Sequence, residues 1–219
     1  MRSRGGKVNL KSTPEQLRAA GILLDGAPAA GLLDLTRVFG NPLPVEVEIG
    51  PGKGGFLLSR AKARPELNLL GIEWLPRYAL YAADRVFRAR LDNVRVLCAD
   101  ADAIFSTQLP ARSLWRVHVY FPDPWPKARQ RRRRLLKPHF VSHLRRTLRL
   151  GGCIGIVTDH AEYARQVRWT LSNEPGLAQV PFVPATGAPC QGAFAGSNFE
   201  RKYAIEGRKL WAVACLRYA

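Results

Sequence analysis

The sequence predicts an α/β domain, a doubly wound and mostly parallel sheet with helices on both faces. Three observations carry this. Short apolar runs alternate with helical stretches from residue 45 to residue 171, the pattern of successive strand–helix units. The first run ends in a glycine-rich turn, "VEVEIGPGKGG". A length of 219 residues with 47% hydrophobic and 23% charged content suits one globular domain with a sizeable core.

Residues 1–44 are rich in Gly, Pro and Ala and read as an N-terminal arm or cap on a domain spanning 45–219. Within the arm, Thr13-Pro14-Glu15-Gln16 supplies an N-cap, a first-turn proline and a capping-box glutamine, so one short helix is expected. "VEVEIG" (45–50) is then a strand, and a helix follows through "GGFLLSRAKAR". "NLLGIEW" (68–74) is the second strand, and Pro76 opens the next helix through "RYALYAADRVFRARL". "NVRVLCAD" (93–100) and "LWRVHVYF" (114–121) are the third and fourth. Pro138 begins a helix expected to run to the Gly151-Gly152 pair, followed by the strand "CIGIVTD" (153–159) and the helix "HAEYARQVRWTL". "KLWAVACLRY" is a last strand, expected at an edge. The long Pro- and Gly-rich stretch from Glu174 to Lys202 reads as a functional loop. Trp115, Trp169 and Trp211 lie in strand or helix patterns and read as core.

The net charge of +17 argues for a polyanionic partner. It is concentrated: Lys127 to Arg149 holds ten Lys/Arg and no Asp/Glu, which favours a nucleic-acid face. Cys98, Cys153, Cys190 and Cys215 are far apart, so zinc and redox pairs are unsupported and reduced thiols are expected, with Cys98 and Cys153 buried. His118, His139, His143 and His160 show no metal-ligand spacing, and no metal is expected. No apolar segment follows the basic N-terminus and none approaches the roughly 18–20 residues of a membrane span. The chain is expected to be cytoplasmic, as a monomer or a homodimer.

The glycine turn satisfies two templates. Read as G-x-G-x-x-G (Gly50, Gly52, Gly55) it could bind a dinucleotide; read as E-x-G-x-G-x-G (Glu48 to Gly54) it resembles the S-adenosylmethionine loop of class I methyltransferases, a Rossmann-like fold. The acids nearby discriminate. Glu73 closes the second strand, where a carboxylate accepts ribose hydroxyls. Asp100, followed by Ala101, closes the third and suits an adenine amino group. Glu48 suits the cationic methionine end but would repel the pyrophosphate of NAD. S-adenosylmethionine is therefore the expected cofactor.

In "YFPDPWPKARQRRRRLLKPH" (120–139), Pro122, Pro124 and Pro126 stiffen a loop that presents Asp123 at the same rim, and cations follow at once. Together "EIGPGKG", "GIEW", "FPDPWPKARQRRRRLL", "TDHAEYA" and "SNFERK" resemble the bacterial tRNA (guanine-N7-)-methyltransferase family, TrmB, over residues 39–216. The resemblance implies methyl transfer to a guanine of the tRNA variable loop, usually position 46. It implies that Glu48, Gly50, Gly52, Gly54, Glu73, Asp100, Ala101 and Asp123 contact cofactor, with Asp123 also catalytic. Lys127, Asp159, Ser197, Asn198, Phe199 and Glu200 match its substrate-binding positions. Arg129, Arg131, Arg132, Arg133 and Arg134 are expected to contact RNA phosphates. Two departures stand out: Gln130 replaces a histidine common in the family, and Ser197 replaces a threonine while keeping the hydroxyl. Three rivals stay open: a methyltransferase for another RNA or a protein amine, a nicotinamide-dependent dehydrogenase, and an RNA-binding module with a vestigial cofactor site.

Overall fold

The computed structural model describes residues 9–24, 31–185 and 198–219, with the side chains of 198 and 199 excepted. Its strands are β1 (Leu23–Leu24), β2 (Val45–Ile49), β3 (Asn68–Glu73), β4 (Val94–Cys98), β5 (Leu114–Tyr120), β6 (Leu148–Thr158), β7 (Leu177–Val180) and β8 (Trp211–Arg217). They form one sheet in the order β1-β4-β3-β2-β5-β6-β8-β7. Pairing is parallel from β1 to β6, while β8 runs antiparallel to both β6 and β7. The chain winds outward from β2 through β3 to β4, then restarts at β5 on the other side. The boundary between β2 and β5 is thus the topological switch point, where open α/β sheets bind ligands at their carboxyl ends.

Two helical layers cover the sheet. On one face α3 (Gly55–Ala63) and α4 (Pro76–Arg88) bury Leu57, Ala61, Ala79, Ala82 and Val86 against Leu69, Val94 and Val96. On the other, α6 (Pro138–Thr147) and α7 (Ala161–Ser172) bury Phe140, Leu144, Tyr163 and Val167 against Val47, Leu70, Val117 and Ile154. Each large aliphatic side chain so buried contributes about 1.5–3 kcal/mol.

The strand period of two sorts β2 cleanly. Val45, Val47 and Ile49 join the α6/α7 core, which leaves Glu46 and Glu48 on the α3 face. A proline opens each of α4 and α6, where its missing N–H costs no helix bond.

The segment ahead of residue 45 is woven into this layer. Its helix α1 (Pro14–Ala19) carries the capping box of Thr13 and Gln16 and buries Leu17 among the α4 side chains, β1 adds an edge strand beside β4, and α2 (Leu35–Phe39) buries Phe39 in the α6/α7 core.

Four expectations need correction. Helix α6 ends at Thr147, and β6 begins at Leu148 because Leu148 already pairs with Leu114; Gly151 and Gly152 sit inside β6, where its register with β5 shifts. Strand β8 is internal, because residues 177–180, within the stretch read as loop, form the edge strand β7. Its entry depends on Gly176 (φ +85), whose added Cβ would lie 3.0 Å from the Ala219 carbonyl oxygen. Trp169 is 63% exposed rather than core, and Trp115 and Trp211 are half-buried. Cys98 and Cys153 are also half-buried, while Cys215 is buried.

Candidate active site

The glycine turn joins β2 to α3 at the switch point. Gly50, Gly52 and Gly54 have φ values of +70, +55 and +69, which L side chains rarely adopt. At Gly54 packing matters too, since a Cβ would lie 3.0 Å from that of Ala82 in α4. Around Gly50 and Gly52 a Cβ would meet nothing within 4 Å, so the backbone there is open to a ligand.

Glu48 is buried at the end of β2, with one carboxylate edge accepting the Leu57 N–H. Its Oε2 is buried and has no hydrogen-bond partner among the described residues. Burial, reinforced by the nearby Glu73 charge, pushes this carboxyl up to about 8. Glu73 is buried but satisfied: Oε2 accepts the Gly52 N–H at 2.9 Å and Oε1 the Leu75 N–H at 2.9 Å. It thereby ties the glycine turn to the end of β3. Asp100 is exposed after β4 and caps the short helix α5 (Ala101–Ala103) by accepting the Asp102 N–H at 2.9 Å, while Ala101 is buried beneath it.

Asp123 stands exposed on the loop after β5. That loop is bracketed by Phe121 (φ 55) and Trp125 (φ 41), two bulky residues in the left-handed region. Such residues cost on the order of 1–3 kcal/mol each and persist only where surroundings enforce them. Arg134 is part of the enforcement. It is 1% exposed, donates to the Pro124 carbonyl at 2.7 Å, pairs with Glu162 at 3.1 Å, bonds Gln166, and lies over the Tyr163 ring. Its assignment as a phosphate contact is therefore corrected, because its guanidinium is enclosed and its donors are committed. Lys127, Arg129, Arg131, Arg132 and Arg133 remain exposed along a short 3₁₀ helix (Ala128–Arg133); Arg131 also meets Glu162 at 3.2 Å, and Arg133 lies over the Trp125 ring.

The last helix, α8 (Asn198–Ile205), comes to the same rim. The Tyr203 ring meets Phe121 at 5.3 Å, and Arg208 beyond it pairs with Asp159 at 2.8 Å. Glu200 is buried. Ser197 lies outside the described residues, as do the side chains of Asn198 and Phe199.

A buried polar array under the site escaped sequence reasoning. Arg60 of α3 grips Glu46 through both carboxylate oxygens (2.7 and 2.9 Å), Glu46 also receives His118 Nε2 at 3.0 Å, and His118 Nδ1 meets the Tyr120 hydroxyl at 2.8 Å. Burial, against the pull of Glu46, lowers the His118 pKa, so a neutral ring donates through Nε2 and accepts from Tyr120 through Nδ1. Arg60 also donates to the Ala185 carbonyl, and Arg116 to that of Val183 at 2.7 Å. The chain after β7 is thereby fastened across the sheet face. The alternation in "VEVEI" and "VHVY" is the signal that could have found this polar face.

Among the described residues no group of three or more His, Cys, Asp or Glu could hold a metal ion, and no helix is long and apolar enough to cross a membrane.

The methyltransferase family model Methyltransf_4 matches residues 42–213. A tRNA (guanine-N(7)-)-methyltransferase of Leifsonia xyli is 41% identical over 180 residues, covering 80% of this chain and 76% of that protein. One of Alkalilimnicola ehrlichii is 37% identical over 184 residues, 84% and 75% respectively. The chain belongs to the tRNA (guanine-N(7)-)-methyltransferase family. A third relative of the same name, from Nocardia farcinica, is 41% identical over 145 residues, 66% of this chain and 54% of that protein. Among solved structures, the 16S rRNA methyltransferase KamB superposes with a TM-score of 0.61 at 13% identity, over 86% of this chain and 95% of that one. A SAM-dependent methyltransferase from Aquifex aeolicus gives 0.54 at 16% identity, over 94% and 100%. At such identity these two speak for the fold alone, which is the class I, Rossmann-like methyltransferase fold.

The donor set of this tRNA (guanine-N(7)-)-methyltransferase family member fits S-adenosylmethionine. The orphaned Oε2 of Glu48 matches a cationic group, while Glu73 and Asp100 have acceptor capacity left over after their single N–H contacts per oxygen. The bare backbone at Gly50 and Gly52 admits close approach. A nicotinamide dinucleotide would bring its pyrophosphate against Glu48.

Proposed function

We propose that this enzyme transfers a methyl group from S-adenosylmethionine to N7 of a guanine in the tRNA variable loop, position 46. The observation that carries the reading is one juxtaposition. Asp123, exposed on a strained loop at the switch point, lies between a buried acid-lined glycine turn and a run of exposed cations.

The chemistry asks for little proton transfer. Guanine N7 offers an in-plane lone pair and carries no proton, so attack needs no general base. Bound S-adenosylmethionine supplies an electrophilic methyl on its sulfonium. Glu48 holds the cationic methionine end, Glu73 accepts from the ribose hydroxyls, and Asp100 with Ala101 receives the adenine edge. The protein's larger task is alignment. Asp123 accepts hydrogen bonds from the guanine N1–H and exocyclic amine, and so stabilises the positive charge that develops on the ring. Its loop is stiff for that purpose: three prolines fix φ, and Arg134 holds the Pro124 carbonyl from behind.

Exposing the target base from folded tRNA costs a few kcal/mol. Phosphate contacts by Lys127, Arg129, Arg131, Arg132 and Arg133 offset it, and Asp159 with the Ser197–Glu200 segment completes the base pocket. The reading places the enzyme in the cytoplasm with its tRNA.

The test is methylation of unmodified tRNA with labelled S-adenosylmethionine, followed by borohydride and aniline cleavage. Scission at one variable-loop guanine is expected; label without scission there discards the N7 assignment. Asp123→Ala should lower turnover by roughly 10²–10³, the size of a lost transition-state hydrogen-bonding group. Near-normal turnover in that variant would refute its catalytic role.

A further inference from the structure

Helix α7 buries Tyr163, Ala164, Val167, Thr170 and Leu171 and turns Arg165, Arg168 and Trp169 outward. Residues 165, 168 and 169 are three and four apart, so they share one helical face. Trp169 is 63% exposed there, a large aromatic surface the core does not use. Neither arginine pairs with a carboxylate among the described residues. The one acid of the helix, Glu162, is already taken by Arg131 and Arg134.

Position makes the patch informative. Glu162 joins the start of α7 to the basic 3₁₀ helix beside Asp123, and Trp169 lies roughly 10 Å further along at 1.5 Å per residue. Among the described residues, the exposed cations at 129 and 131–133 therefore continue without an intervening free acid into Arg165 and Arg168. We propose that the outer face of α7, Arg165, Arg168 and Trp169, is a second tRNA-contact surface, remote from the target guanine, that holds phosphates with its arginines and stacks a base or ribose on its tryptophan. The inference rests on the tRNA reading above and deepens it.

Charge selects the occupant. An aromatic flanked by cations is a stacking platform for nucleic acid. A second copy of this chain fits worse, since a two-fold contact sets the same patch against itself and brings arginine to arginine.

The experiment measures KM, kcat and the salt dependence of binding on full-length unmodified tRNA, for wild type, Trp169→Ala, Trp169→Phe and Arg165→Ala/Arg168→Ala. The alanine change at 169 should raise KM about tenfold with kcat unchanged, and the phenylalanine should recover most of it. The double arginine variant should flatten the log–log salt slope by roughly 0.7–0.9 per arginine removed. A wild type that methylates tRNA while all variants keep its KM and slope overturns this surface alone. A wild type that leaves tRNA unmethylated overturns the function and the surface together. Wild-type dimers that dissociate in Trp169→Ala, with tRNA affinity intact, assign the face to self-association instead.

Discussion

Glu46 and Glu48 stand two residues apart on β2, face the same layer and are both buried, yet burial ends differently for each. For Glu46 burial alone would raise the carboxyl, but hydrogen bonds from His118 and Arg60 outweigh it and hold the pKa at about 2. For Glu48 nothing comparable opposes burial and the neighbouring Glu73, and the value climbs to about 8. The first is a fully partnered anion that fastens α3, β5 and the chain at Ala185 together. The second keeps one oxygen without a partner among the described residues, which a cationic or donating ligand satisfies once the carboxyl is ionised. Within one strand, the same residue type builds scaffold in one place and site in the other, and the partner decides which.

The comparison breaks most sharply at Arg60. Arg60→Met leaves Glu46 buried without its fork, a loss expected to cost about 3–5 kcal/mol of unfolding free energy in urea titrations. A variant as stable as wild type would mean that Glu46 needs no cation. Glu48→Gln should behave in the opposite way. Its stability should match or exceed wild type, because an amide is buried without the proton uptake that folding imposes on this carboxyl between 4.5 and about 8, while S-adenosylmethionine affinity falls about tenfold or more in calorimetry. Unchanged affinity would remove Glu48 from the cofactor site.

The gentlest test varies pH. A cationic ligand favours ionised Glu48, so affinity should rise about tenfold per pH unit until about 8 and then level, and Glu48→Gln should abolish that slope. Ligand-free stability has opposite signs for the two residues. Between 4.5 and about 8 the folded chain keeps the Glu48 proton that the unfolded chain releases, so this contribution shrinks as pH rises through that window. The Glu46 contribution is present above 4.5 and is lost as pH falls toward about 2. Denaturation curves across pH, with Glu48→Gln as control, separate the two.

Most of the frame that holds the site was legible in the sequence, because apolar strands ending in Gly50, Glu73, Asp100 and Phe121 are local signals. What stayed hidden is non-local. Glu46 meets Arg60 and His118 only once α3 and β5 flank β2; the alternation along β2 and β5 marks a polar face, but not which residues meet on it. Strand β7 spans four residues between Gly176 and Pro181, too short for its alternation to outweigh a loop-like composition. The helix boundary at Thr147 carries no Gly or Pro, whereas the glycine pair that looked like a stop serves a register shift within β6. Arg134 was misread because four consecutive arginines look uniformly solvated when nothing shows which one turns inward.

That inward turn means charge counting misdescribes "RRRR". Three of its members face water and attract anions by charge, with Arg131 also meeting Glu162 and Arg133 lying over the Trp125 ring. The fourth works as carpentry. Its planar fork reaches a carbonyl, a carboxylate and an amide at once while its flat face rests on a tyrosine, and a point charge on a flexible stem has no way to span them. In a chain so rich in positive charge, one cation has been withdrawn from the electrostatic field and made a fixed joint beneath the loop that carries Asp123.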